Sequence, residues 1–221
     1  MDFFAYDFLD FGASTGGSIA FARKHLGGQR GLGIDRHPQK IRQLRDAGYE
    51  GLLADITNID APAQCVRFVT MIHLLEHLPD LETITATLRM GAFLARDFLF
   101  IRGPNFDDDA YLREQGVKWY WSDWPRAHTY HLTTAALHQC CDALHLSDRY
   151  LCHFRGVNTT QDPALHPLHS PPGQHDYDAT VHPSKTVKPL DRIVFKEFAV
   201  FVRLRPFKEW TTVIHALDRY V

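Results

Sequence analysis

Three aspartates, a glycine turn and two histidines in the first third of the chain are spaced to share one pocket. Asp10 is followed by Gly12, Ser14, Gly16 and Gly17, and Asp35 closes the apolar run Gly31-Leu32-Gly33-Ile34. Asp55 follows a third such run, and His73 and His77 flank Glu76 after a fourth. A glycine turn between a strand and a helix lets backbone approach a ligand closely, and an acid after the second strand suits ribose hydroxyls. Three ligand classes use such a turn. A nucleoside triphosphate needs a Lys followed by Ser or Thr at the end of the loop, and the nearest Lys here is Lys24, inside a predicted helix. A dinucleotide takes three glycines, but Gly12, Ser14 and Gly17 supply only two, and Asp10 sets a negative charge beside the pyrophosphate. S-adenosylmethionine has an ammonium tail and a cationic sulfonium, so a carboxylate at a strand end suits it.

These residues need a frame that brings them to one edge. Strands are predicted at Tyr6 to Phe11, Gly31 to Asp35, Glu50 to Ala54, Val66 to Ile72 and Asp97 to Ile101. Helices are predicted between them at Gly17 to Leu26, Gln39 to Ala47 and Leu81 to Ala95, the last with the apolar stripe Leu81, Ile84, Leu88 and Ala92. Such alternation implies right-handed crossovers and a parallel sheet, with ligands at the carboxyl ends of the strands. Asp10, Asp35, Asp55 and His73 all fall there. A further helix is expected at Thr133 to Leu146, and two more strands at Asp148 to Arg155 and Glu197 to Arg205. Lys208 to Tyr220 can form an amphipathic helix using Trp210, Val213, Ile214 and Leu217.

Asp10-x-Gly12-x-Ser14-x-Gly16, Gly31 to Asp35, Ala54-Asp55-Ile56 and Met71 to Asp80, which contains Leu75-Glu76-His77, stand in the order of four known motifs. On these residues the chain resembles the class I S-adenosylmethionine-dependent methyltransferases of a type 11, 12 or 23-like small-molecule branch, over most of residues 1–145. Ser14 stands where that family has its middle glycine. The resemblance implies an α/β, Rossmann-like doubly wound sheet of seven strands, mostly parallel, with an antiparallel strand pair at the C-terminal edge. It implies S-adenosyl-L-methionine as cofactor and S-adenosyl-L-homocysteine as product. The implied cofactor residues are Asp10, Gly12, Ala13, Ser14, Gly16, Asp35, Arg36, Asp55, Ile56, Met71 and Ile72.

His73-Leu74-Leu75-Glu76-His77 also matches the inverted zinc-protease pattern His-x-x-Glu-His. That motif needs the pentapeptide inside a helix, whereas here it follows a predicted buried strand and precedes Pro79. No metal ligands are therefore expected.

Composition narrows the partners. A chain of 221 residues, 45% hydrophobic and 23% charged, supports one well-buried core, so residues 1–221 are expected to form a single domain. With a net charge of -2 there is no global basic footprint, and no nucleic-acid partner is expected. Neither a signal peptide nor a membrane-length apolar run is present in these residues, so the reading is a cytoplasmic protein, monomer or homodimer, with no membrane partner. Cys65, Cys140, Cys141 and Cys152 show no Cys-x-x-Cys spacing and are expected as reduced structural thiols.

The acceptor should be sought after the fifth strand. Residues 102–131 form an expected substrate-side loop insert containing Trp119, Trp121 and Trp124, a cluster suited to stacking on sugars or to plugging one end of the sheet. Asp107, Asp108 and Asp109 are expected as an acidic helix start. Residues 156–192, rich in Pro and His, form an expected long loop between the last two strands. The expected reaction is in-line methyl transfer to a small-molecule or glycan-type acceptor at oxygen. His73 leads as general base, with His131 and His128 next. The alternatives are a nicotinamide-dependent oxidoreductase and a non-catalytic cofactor-binding protein.

Overall fold

The structure, a computed structural model, describes residues 1–124 and 128–218, with side chains to 215. Pro125, the side chain of Leu217 and the predicted helix end at 219–220 lie outside the described residues. In chain order the elements are β1 (Phe8–Phe11), α1 (Gly17–His25), β2 (Gly31–Asp35), α2 (Pro38–Asp46), β3 (Glu50–Leu53), β4 (Val66–Ile72), α3 (Leu81–Leu94) and β5 (Ala95–Pro104). There follow α4 (Asp109–Glu114), β6 (Val117–Trp119), α5 (Thr134–Ala143), β7 (Arg149–Thr159), β8 (Leu165–Pro167), β9 (Pro189–Arg203) and α6 (Trp210–Asp218).

Seven strands form one sheet in the order β3-β2-β1-β4-β5-β9-β7. Neighbours from β3 to β5 are parallel, and β9 lies antiparallel to both β5 and β7. The expected mostly parallel sheet with its antiparallel pair is therefore present. Its two faces carry separate cores. One joins Leu9, Phe11, Val69 and Leu99 to α3 and α5 through Ile84, Leu88 and Leu137. The other joins Phe8, Phe68, Phe98 and Phe201 to α1, α2 and α6 through Ile19, Leu44 and Val213.

Phe8, Phe68 and Phe98 occupy paired positions on β1, β4 and β5 and stack in sequence, with centroids 4.9 and 4.7 Å apart. Each such contact contributes about 0.5–1.5 kcal/mol beyond area burial. This ladder stiffens the sheet two residues before Asp10 and Thr70, and so fixes the carboxyl edge that follows.

Local signals set the helices. Asp80 accepts from Thr83 N at 2.7 Å at the start of α3, and Thr133 accepts from Ala136 N at 3.1 Å at the start of α5. The acids at 107–109 behave differently from the expected helix start, because the Asp108 cap position of α4 makes no side-chain cap bond. Asp107 instead accepts from Thr134 N and Oγ1, Asp108 pairs with Arg192, and Asp109 accepts from Ser122 Oγ.

Residues 102–131 hold α4 and β6, and β6 pairs with β8 in a separate two-stranded sheet. Trp119 and Trp121 stack at 4.8 Å inside a third core with Phe106, Leu112, Leu165 and Val194. The two tryptophans are thus core residues of this third cluster. β7 and β9 run further than predicted, so the connection around β8 spans 160–188. Among the described residues no helix is long and apolar enough to cross a membrane, and none of the four cysteines is in a disulfide.

Candidate active site

A cavity of about 950 Å³ opens at the carboxyl edge of the sheet. Gly12, Ala13, Ser14, Asp35, Arg36, Asp55, Ile56 and Ile72 line it, together with His73. Gly16, Met71 and Asp10 do not.

The turn after β1 takes the left-handed conformation three times, at Gly12 (φ 73°), Ser14 (φ 46°) and Gly16 (φ 93°). A Cβ on Gly12 would stand 2.8 Å from Leu74 Cδ1, and one on Gly16 would stand 2.4 Å from the Tyr49 ring. Both positions therefore require glycine. Ser14 keeps the conformation of the replaced glycine despite its side chain, at a cost of roughly 1–2 kcal/mol. Gly16 acts on the cavity indirectly, by ending the turn as the cap of α1.

Asp10 is fully buried. Its register partner across the parallel ladder, Thr70, donates to Oδ1 at 2.6 Å, and Ser18 of the first turn of α1 donates to Oδ2. Burial pushes the carboxyl up to about 7, while the two hydroxyl donors pull it down. The acid thus sits one layer behind the cavity, and Ser18, which does line it, stands between. Met71 points to the opposite face of the sheet, where its Cε packs against Gly91 of α3.

Asp35 ends β2 nearly buried, accepts from His37 N at 2.9 Å and has Lys40 Nζ 3.9 Å away. Asp55 accepts from Thr57 N and Oγ1 at 2.9 and 2.8 Å, and those bonds hold its carboxyl below the usual range. Thr15, Gly17, Ser18, Phe21, His37, Lys40, Thr57, Leu74, His77, Leu78, Thr83, Arg102 and Thr129 complete the wall and were not predicted as site residues. Arg102 was discoverable, since it directly follows the predicted fifth strand at the same edge as the predicted ligands.

His73 follows β4 in a left-handed conformation (φ 51°), with half of its side chain exposed to the cavity. Non-glycine residues hold that conformation only where surrounding structure imposes it, and here His73 N donates to Arg102 O at 2.8 Å. His73 Nδ1 lies 3.4 Å from Glu76 Oε1, and Nε2 lies 3.8 Å from Glu197 Oε2. Glu197 is already held by Arg102 and Arg155, both at 2.6 Å. Glu76 and His77 lie in a short 3-10 turn, Leu75–His77, so the helix demanded by the zinc-protease motif is absent.

The other two predicted bases sit outside the wall. His131 stacks on Phe106 at 4.5 Å and faces Asp109 at 3.6 Å. His128 donates from Nδ1 to Trp121 O at 3.0 Å, and burial lowers its pKa.

The glycine cradle, the acid at the end of β2 and the Asp55–Thr57 turn fit an adenosine-bearing ligand, as the donor expected from the sequence requires. Comparison with known proteins agrees. Residues 9–89 match the family described as "Methyltransferase domain", whereas no curated protein matches the chain. A SAM-dependent methyltransferase from Archaeoglobus fulgidus shares the fold with TM-score 0.62 at 16% identity, over 89% of this chain and 85% of that one. A second, from Thermotoga maritima, gives 0.59 at 12% over 90% and 82%. A third, from Methanosarcina mazei, gives 0.55 at 14% over 89% and 91%. At these identities the solved structures establish the fold, and the family match over 9–89 adds the domain that carries the donor motifs. Over residues 9–89 the chain is thus similar to the methyltransferase domain family, and over most of its length it shares the fold of these SAM-dependent methyltransferases.

Proposed function

We propose that the protein methylates a small-molecule or glycan-type acceptor at oxygen, with His73 as the proton acceptor. When bound, the cofactor supplies a methyl group already activated on sulfonium, open to in-line displacement. The Gly12–Gly16 turn and Ala13 cradle it, Asp35 and Arg36 flank the ribose, and Asp55 with Ile56 lies beside adenine. Ile72 ends the strand between these two halves of the cavity. Asp10 acts through Ser18, as a buried negative charge behind the site of the ammonium tail.

The observation that carries the oxygen reading is His73. It is the one predicted base that lines the cavity, where Glu76 Oε1 lies 3.4 Å from Nδ1 and Glu197 Oε2 lies 3.8 Å from Nε2. Residues 102–131 and the 160–188 connection, with the ends of β7 and β9 that flank it, form the acceptor-side cover of a single catalytic unit. Their shared core, from Trp119 and Trp121 to Leu165 and Leu190, supports that reading. Every residue in the proposal comes from one chain, as a monomer or a homodimer.

Calorimetric titration with S-adenosylmethionine, S-adenosylhomocysteine and NAD tests the donor half. Both sulfur nucleotides should bind, and Asp35→Ala should weaken S-adenosylhomocysteine by about 1.5–3 kcal/mol, the scale of lost hydrogen bonds to a charged group. Unchanged affinity would remove Asp35 from the site. For the acceptor half, a hydroxyl-acceptor panel should show turnover that His73→Ala depresses mainly in kcat, with an altered pH profile.

A further inference from the structure

We propose that Glu76, His77 and His128 bind one divalent transition-metal ion at the acceptor end of the cavity. No spacing pattern joins the three residues, because His128 lies about fifty positions from the other two. In the fold one carboxylate oxygen and two imidazole nitrogens from these residues come within 4.8 Å of one another.

Glu76 supplies the reason to fill that space. It is 3% exposed, and its Oε1 accepts no hydrogen bond among the described residues. A buried carboxylate oxygen without a donor is costly, so a counter-charge at that atom is expected. Imidazole nitrogens surround it instead, His73 Nδ1 at 3.4 Å and His77 Nε2 at 3.9 Å. No Lys or Arg forms a salt bridge with Glu76 among the described residues.

The geometry is built rather than incidental. Thr129 N and Tyr130 N both donate to Glu76 O, at 2.9 and 3.2 Å, and Thr129 Oγ1 donates to Leu78 O at 2.8 Å. These bonds clamp the segment after His128 onto the turn that carries Glu76 and His77. A backbone carbonyl can only accept, so the Trp121 contact puts the proton of neutral His128 on Nδ1 and leaves the Nε2 lone pair for a metal. The His77 and His128 rings lie 5.1 Å apart, centroid to centroid, so both imidazoles stand at the site.

Two imidazoles and one carboxylate favour a first-row transition ion such as zinc or cobalt over magnesium or calcium, which prefer all-oxygen shells. Three protein ligands leave open positions. His77 and Thr129 line the cavity next to His73, so those positions are available to a hydroxyl oxygen of the acceptor. This last role rests on the methyl-transfer reading above, whereas the ion site itself does not.

The test titrates the full chain with zinc, cobalt and magnesium chlorides, following heat and the visible d–d absorption of cobalt. One equivalent of zinc or cobalt should bind with magnesium ineffective, and His77→Ala and His128→Ala should each weaken binding more than about tenfold. His77→Ala removes an exposed ring and keeps the test valid if His128→Ala fails to fold. No cobalt or zinc binding by the wild-type chain would overturn the proposal. Binding unchanged in both variants would place the ion elsewhere and overturn it equally. Wild-type S-adenosylhomocysteine affinity, measured in parallel, separates this failure from a failure of the donor reading.

Discussion

The proposed donor edge and the aromatic cluster of the proposed acceptor side are built on opposite principles. At the donor edge, Ser14 and His73 hold left-handed backbone and Asp10 is a buried carboxyl displaced from its ordinary pKa. In the cover, Trp119 and Trp121 lie flat against each other in a packed apolar cluster. One region accepts strain and buried charge to present backbone and acid to a ligand. The other gains stability from contact area and presents little chemistry of its own. Function-bearing strain and stabilising packing are thus divided between neighbouring parts of one domain.

Removing packing from the cover should produce the largest effect. Trp119 has no exposed surface, so Trp119→Ala should cost about 3–5 kcal/mol in urea unfolding while S-adenosylhomocysteine affinity in native buffer stays within about twofold. A parallel loss of donor affinity would show that the two regions are not separable.

Asp10→Asn sharpens the contrast from the other side. Because the folded-state carboxyl is raised to about 7 from 3.8, its contribution to stability is whole below about pH 4 and lost as pH rises through about 7. Asparagine does not titrate, so the variant should gain on the wild type by on the order of 2 kcal/mol between pH 5 and pH 8. Donor binding should weaken in the same protein. A stability difference that does not change with pH would mean that Asp10 is ionised throughout.

The smallest expected effect is Ser14→Gly. Relief of the left-handed serine should stabilise the fold by up to about 1 kcal/mol, less whatever the unfolded chain gains in freedom. Thermal unfolding would detect it, and a loss of stability would show that the Ser14 side chain makes a compensating contact.

The same division explains what could be read from the residues alone. β4 runs from Val66 to Ile72 as its apolar run predicts, and the glycine turn was visible because left-handed backbone demands a particular residue type. The β6–β8 pair was not visible. Val117–Trp119 and Leu165–Pro167 are three-residue strands whose partners lie far apart in sequence, so neither carries a period of its own. Asp10 was identified by type, but its depth was not, because only the register with Thr70 and the fold of Ser18 over it bury the carboxylate. His128 was selected for its chemistry and given a different neighbourhood by the clamp at Glu76 O. Thr129 was missed because a cavity wall formed by side chains from several elements leaves no spacing pattern.

The position of β9 between β5 and β7 has a consequence for biogenesis. β7 is synthesised before β9 yet pairs with the sheet only through it. Until Pro189–Arg203 has emerged from the ribosome, β5 presents an unpaired edge along Phe98, Leu99, Phe100 and Ile101, all of them buried in the finished fold. An apolar strand edge left open this long is a template for pairing with other chains. Translation pauses or truncations between β7 and β9 should therefore lead to aggregation before they lead to loss of the donor pocket, whose strands are complete much earlier.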